Sequence, residues 1–127
     1  MNKTENIFHI VFVTKYRKKI LSDEILDYIK QIIQYAADKH RFKLIEFESE
    51  NEDYIHIVVQ LMPLQSVSTI VQLLKQYTRF YVWEYYAPIL RQFYWYNDFL
   101  WSKGYYCSTM GNVSKEKILE YIEKQNY

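Results

Sequence analysis

Residues 53–61 read Asp-Tyr-Ile-His-Ile-Val-Val-Gln-Leu. Tyr54, His56, Val58 and Gln60 fall on one face of this stretch, and Ile55, Ile57, Val59 and Leu61 on the other. That is the two-residue period of a β-strand, which Pro63 closes. Just upstream, Glu50-Asn51-Glu52 is a polar hairpin turn, and Phe42 to Ser49 supplies the strand that pairs across it. Further out, residues 7–14 (IFHIVFVT) are β-branched and aromatic, as a buried strand requires.

Between these strands, Ile25, Ile29, Ile32, Ile33 and Ala36 recur at helical spacing. Ser22 is placed to cap that helix, with Asp23 and Glu24 where its dipole favours anions, predicting a helix over 23–40. Ser68 can cap a second helix through roughly Tyr86, with Ile70, Leu73, Leu74, Tyr77 and Tyr81 inward and Pro88 as its stop. Residues 93–96 and 104–109 are short aromatic strand candidates. After Gly111, Ser114 can cap a last helix from Lys115 to Gln125. The order is βαββαβ plus a helix: an α+β fold of the ferredoxin-like or RRM-like kind. It has an antiparallel sheet, two helices on one face and the other face free. The extra helix packs on that sheet or on a partner chain.

The 127 residues, half of them hydrophobic, suit one domain spanning 1–127. No apolar run approaches the ~20 residues that span a bilayer, and the polar start lacks a signal-peptide core, so a cytoplasmic, non-membrane protein is expected. Cys107 alone makes neither an internal disulfide nor a cysteine-based zinc site. A net charge of +1 excludes a generic polycation and leaves room for a local basic patch. With two glycines there is no Gly-rich cradle for a small-molecule phosphate cofactor. The fourteen tyrosines are either stacking platforms for bases or, with twelve Lys against four Arg and fourteen Ile, the mark of an AT-rich genome.

Three features carry candidate chemistry. Tyr54 and His56 point the same way from one strand, so the imidazole is available to a metal or substrate, or is simply a half-buried, hydrogen-bonded histidine. Tyr121 and Gln125 stand four residues apart on the last helix, beside Ile118 and Ile122, as a functional pair or as an ordinary amphipathic edge. Lys15-Tyr16-Arg17-Lys18-Lys19 follows the first strand. It offers charges for a phosphate backbone and a ring for a base, or is a solvated loop.

Together these features are more specific. HIVFVTKYRKKIL (9–21), DYIHIVVQ (53–60), LWSKGYYCSTMG (100–111) and ILEYIEKQ (118–125) occur in the order found in the single-tyrosine HUH transposases of small insertion sequences. The chain resembles that transposase A family, with its REP-associated tyrosine transposase relatives, from about Ile7 to Gln125. The resemblance implies that Tyr121 is the nucleophile and that His56 and Gln125 hold a divalent ion, Mg²⁺ or Mn²⁺. Tyr54 stands where the family has the first histidine of its His-hydrophobic-His motif. It is a doubtful ligand, and hydrogen bonding to a metal-bound water is the role favoured for it. The resemblance further implies a homodimer acting on single-stranded DNA folded into hairpins, cleaved through a 5′-phosphotyrosine link. Lys15, Tyr16, Arg17, Lys18 and Lys19 are the expected DNA contacts.

Two other functions use the same fold. One is a non-catalytic single-stranded DNA- or RNA-binding regulator, favoured by Tyr54 and opposed by Tyr121 with Gln125. The other is a housekeeping nuclease acting on repetitive hairpins.

Overall fold

The computed structural model describes residues 6–109 and 114–124. Its strands are β1 (Ile7–Val13), β2 (Lys43–Glu48), β3 (Tyr54–Gln60) and β4 (Tyr106–Ser108); its helices are α1 (Asp23–His40), α2 (Val67–Leu90) and α3 (Lys115–Glu123). A single 3₁₀ turn covers Lys15–Arg17. The strands form one antiparallel sheet in the order β2-β3-β1-β4. This is the expected α+β architecture.

The alternation read in residues 53–61 is what divides the molecule into two layers. Ile55, Ile57 and Val59 join Ile10 and Phe12 of β1 in a core with α1 and α2. The opposite face carries Val11, Val13 and Tyr54, and there α3 sets down Ile118 and Ile122. The second face is therefore partly roofed by this chain's own last helix rather than free. At nine residues α3 is shorter than the ~12–15 an isolated helix needs in water. Burial of its two isoleucines, each contributing about 1.5–3 kcal/mol, holds it in place.

α1 occupies the expected range. Ser22 Oγ accepts from the Ile25 amide at 3.3 Å, and Arg41 ends the helix in the left-handed region at φ 61°. α2 departs from expectation at both ends. Ser66, not Ser68, is the cap, accepting from the Thr69 amide at 3.2 Å. Pro88 does not stop the helix; it lies inside the last turn. The missing amide and the clash with the preceding turn are absorbed at Tyr86 (φ −119°, ψ 23°), after which the chain regains helical geometry to Leu90.

Residues 93–96 form no strand. Arg91 shapes them into a turn, donating to the Tyr94 carbonyl at 3.0 Å and to the Asp98 carboxylate at 2.6 Å. Tyr94 is fully buried and its hydroxyl donates to the Lys15 carbonyl at 2.6 Å, so an aromatic run that reads as strand is instead a plug under the Lys15 turn. Among the described residues no helix is long and apolar enough to cross a membrane.

Candidate active site

The register of the sheet builds a polar cluster on the face that α3 partly covers. Glu48 of β2 stands opposite His56 of β3, which stands opposite Val11 of β1, which stands opposite Tyr106 of β4. One step along, Val58, His9 and Ser108 form the next row, and Val13 with Tyr54 the row on the other side. His9 thus lies diagonally from His56 on the same face, and His9 Nδ1 is 3.0 Å from His56 Nε2. The two rings stack with centroids 5.2 Å apart. On its other side His56 Nδ1 meets Glu48 Oε1 at 2.8 Å. Both imidazoles are buried, at 7% and 4% exposure, while Glu48 reaches solvent.

Glu48 fixes the chemistry of His56. An ionised carboxylate only accepts, so Nδ1 is the donor in this bond, and in a neutral ring Nε2 is then the lone-pair nitrogen. This carboxylate–imidazole arrangement is the one that orients histidine ligands in metal sites. The donor chemistry at His56 therefore fits a divalent ion. Among the described residues no group of three or more His, Cys, Asp or Glu is gathered around such an ion. Gln125, the other expected ligand, lies outside the described residues.

Tyr54 occupies the position expected from the sequence, but its surroundings are apolar. Its ring is 5% exposed and packs with Val11, Val13, Ile118 and Ile122. Burial pushes the phenol above its ordinary value, the negative charges of Glu50, Glu48 and Asp53 push it further, and only a backbone hydrogen bond from Glu50 opposes them. The hydroxyl stays neutral near pH 7 and does not supply a phenolate ligand. Asp53 itself points the other way, as strand alternation requires, and takes Arg17 as its partner.

Tyr121 lies half-buried on α3 with its ring 5.6 Å from that of Tyr106. Its hydroxyl lies over Gly104, where a Cβ would be 4.0 Å away. Gly104 has φ +80°, a conformation glycine adopts without a side-chain penalty. Lys75 of α2 holds this segment, donating to the carbonyls of Ser102 at 2.9 Å and Gly104 at 2.6 Å. Burial lowers the Lys75 ammonium to about 8. Tyr121 thus sits over β4 while His56 lies on β3, with β1 between them.

The basic run divides by role. Arg17 Nε lies 3.5 Å from Asp53 Oδ2, and Asp53 is 1% exposed, so Arg17 neutralises a buried carboxylate. Lys19 contacts the Asn51 side chain at 3.3 Å, and Lys18 and Lys19 are both exposed. The Lys15 ammonium stands 5.1 Å from the ring centres of both Tyr16 and Phe99. Tyr16 and Arg17 both take positive φ in this turn, and the Tyr16 hydroxyl meets that of Tyr96 at 3.2 Å. Trp95 and Tyr96, exposed at 76% and 53%, extend this aromatic surface.

Sequence reading did not find His9, Glu48, Lys75 or the 95–96 rings. His9 shares a face with Val11 and Val13 by alternation, a signal legible in the sequence, but its neighbour across the sheet depends on register.

Comparisons with known proteins bear on the family and the fold. The family model described as IS200-like transposase matches residues 2–125. The transposase for insertion sequence element IS200 of Salmonella typhimurium is 29% identical over 118 residues, covering 93% of this chain and 75% of that protein. The ISDra2 transposase TnpA of Deinococcus radiodurans is 27% identical over 119 residues, covering 94% and 83%. A crystal structure of a protein from D. radiodurans R1, described as a transposase, superposes with a TM-score of 0.83 at 28% identity, covering 94% of this chain and 89% of the other. A REP-associated tyrosine transposase bound to a REP hairpin shares the fold, with a TM-score of 0.56 at 8% identity over 93% and 62% of the two chains. With the family pattern matched across almost its whole length, the chain belongs to the IS200-like transposase family.

Proposed function

We propose that this chain is a DNA strand transferase that cleaves and rejoins single-stranded DNA at the ends of a small insertion element, with Tyr121 as nucleophile. The observation that carries the reading is the docking of α3: Ile118 and Ile122 seat it on the sheet face that holds His56, so Tyr121 and the imidazole share one surface. The Tyr121 oxygen attacks the scissile phosphorus and the 3′-oxygen leaves, giving a 5′-phosphotyrosine and a free 3′-OH. A later 3′-OH reverses the step and joins strands without an external energy source.

His56 and Gln125 are the proposed ligands of Mg²⁺ or Mn²⁺, with phosphate oxygens and water completing the set. When bound, such an ion polarises the phosphate and stabilises the charge that develops on it. Tyr121 lies above β4 and His56 on β3, strands whose axes stand about 10 Å apart at ordinary strand spacing. That separation favours a homodimer in which the helix of one copy serves either copy's imidazole face. Hairpin-bearing single-stranded DNA is the proposed partner. Lys15, Lys18 and Lys19 lie against its backbone, and the Tyr16 ring, with Trp95 and Tyr96 beside it, offers stacking surfaces for unpaired bases.

The second reading, a binding regulator without chemistry, is favoured by the neutral, buried Tyr54 where the family has a histidine. One experiment separates them. Labelled single-stranded hairpins from the flanks of the gene are incubated with the protein and Mn²⁺. A covalent protein–DNA adduct that vanishes in Tyr121→Phe supports the transferase, whereas tight binding without an adduct supports the regulator.

A further inference from the structure

We infer that His9 is a ligand of the divalent ion, so that a cross-strand pair, His9 of β1 with His56 of β3, replaces the two histidines of a single strand. The inference deepens the strand-transferase reading and rests on it for the purpose the ion serves. Three observations carry it. First, His9 Nδ1 and His56 Nε2 are 3.0 Å apart, and two imidazole nitrogens bound at right angles to one ion, at about 2.1 Å each, stand about 3.0 Å apart. Small rotations about the Cβ–Cγ bonds turn the two nitrogens from facing each other to facing one point.

Second, Glu48 accepts from His56 Nδ1 at 2.8 Å, leaving Nε2, the atom that faces His9, as the lone-pair nitrogen. With His56 neutral, the His9 Nδ1–H is then the donor of the 3.0 Å bond. For His9 Nδ1 to face an ion, the ring would have to carry its proton on Nε2. Third, Tyr54 is turned to another use, because its ring is buried with Val11, Val13, Ile118 and Ile122. The face then offers two imidazole donors, one more than the family's strand motif retains in this sequence.

The test measures ion binding directly. Mn²⁺ is titrated into the intact protein without DNA, and free Mn²⁺ is followed by its electron paramagnetic resonance signal. Wild type and His40→Asn should bind with equal affinity, and His9→Asn and His56→Asn at least tenfold more weakly. A wild-type measurement covers a variant that fails to fold. In ¹⁵N spectra of the histidine rings, Zn²⁺ should shift both His9 Nδ1 and His56 Nε2. The ring of His40, bonded to Tyr77 on the α1–α2 layer, should not move. Unchanged Mn²⁺ affinity in a folded His9→Asn, a shift of His56 alone, or no binding by wild type would each overturn the pair. The adduct assay keeps the two readings apart. An adduct with wild-type Mn²⁺ affinity in His9→Asn defeats the pair and leaves the transferase. Loss of affinity in His9→Asn without an adduct in wild type does the reverse.

Discussion

The Lys75 ammonium donates to the Gly104 carbonyl at 2.6 Å, directly beneath the Tyr121 hydroxyl. A cation on the α1–α2 layer thereby braces the segment on which the proposed nucleophile rests. The brace is costly, because burial lowers Lys75 to about 8 from an ordinary value of 10.5. Between those two values the unfolded chain binds more protons than the folded one, so this group makes stability rise with pH across that window. The penalty is fully present below about pH 8. Denaturant unfolding from pH 7 to 10 should show wild type gaining on Lys75→Met by about 1–2 kcal/mol, after allowance for the part of the side chain that solvent screens. A difference that does not change with pH would refute the assignment.

Gly104 itself is held by backbone, not by space. A Cβ there meets the Tyr121 hydroxyl at an ordinary contact distance of 4.0 Å, but φ is +80°. Gly104→Ala should therefore destabilise the fold by about 1–2 kcal/mol. The expected adduct yield, measured under conditions where the variant is folded, falls less than tenfold.

Arg17 and Asp53 form a structural pair. Asp53 Oδ1 is buried and has no hydrogen-bond partner among the described residues, and Arg17 pairs with the other oxygen of that carboxylate. Arg17→Met should cost about 1–3 kcal/mol in equilibrium unfolding, and adding Asp53→Asn should recover part of the loss. If the two changes add independently, the pair is not coupled.

Lys18 and Lys19 are exposed and should behave differently from Arg17. Replacing both with Ala should leave the melting temperature within 2 °C or so, since surface changes are usually within about 0.5 kcal/mol. The same double variant should weaken binding of a single-stranded hairpin and reduce its salt dependence by about one to two ions, at roughly 0.7 per phosphate contact. An unchanged salt slope would remove these lysines from the interface.

How far the sequence could be read depends on the range of each interaction. Alternation over Tyr54 to Leu61 is local, and it placed both layers of the sheet correctly. Capping at Ser22 and Ser114 is local too, and both serines accept from the helix amide three residues on. Pro88 misled because a proline's effect on a helix depends on whether the chain can bend before it, and Tyr86 does. The 93–96 rings misled because a strand and an aromatic plug share composition; only Arg91, bonding forward to Tyr94 and Asp98, distinguishes them. The His9–His56 contact joins residues 47 apart through the β1–β3 register, which a one-residue slip would have undone. The family resemblance pointed to Tyr121 and His56, and it could not show that a second imidazole arrives from another strand.

Tyr54→His tests that arrangement from the opposite side. The substitution restores two histidines to β3, two residues apart on one face, with His9 diagonal to His56 on the side away from position 54. It also removes a phenol that fills the space beneath Ile118 and Ile122, so a stability loss of about 1–3 kcal/mol is expected in denaturant unfolding. Metal-dependent cleavage of a hairpin oligonucleotide, assayed below the variant's melting temperature, should be retained or increased, because a third imidazole adds to a donor pair that already binds. Tyr54→Phe supplies the control, keeping the ring without the hydroxyl and cleaving as wild type does. Loss of cleavage in folded Tyr54→His would mean that the phenol contributes something an imidazole cannot. The hydrogen bond from the Glu50 backbone would then be the place to look for it.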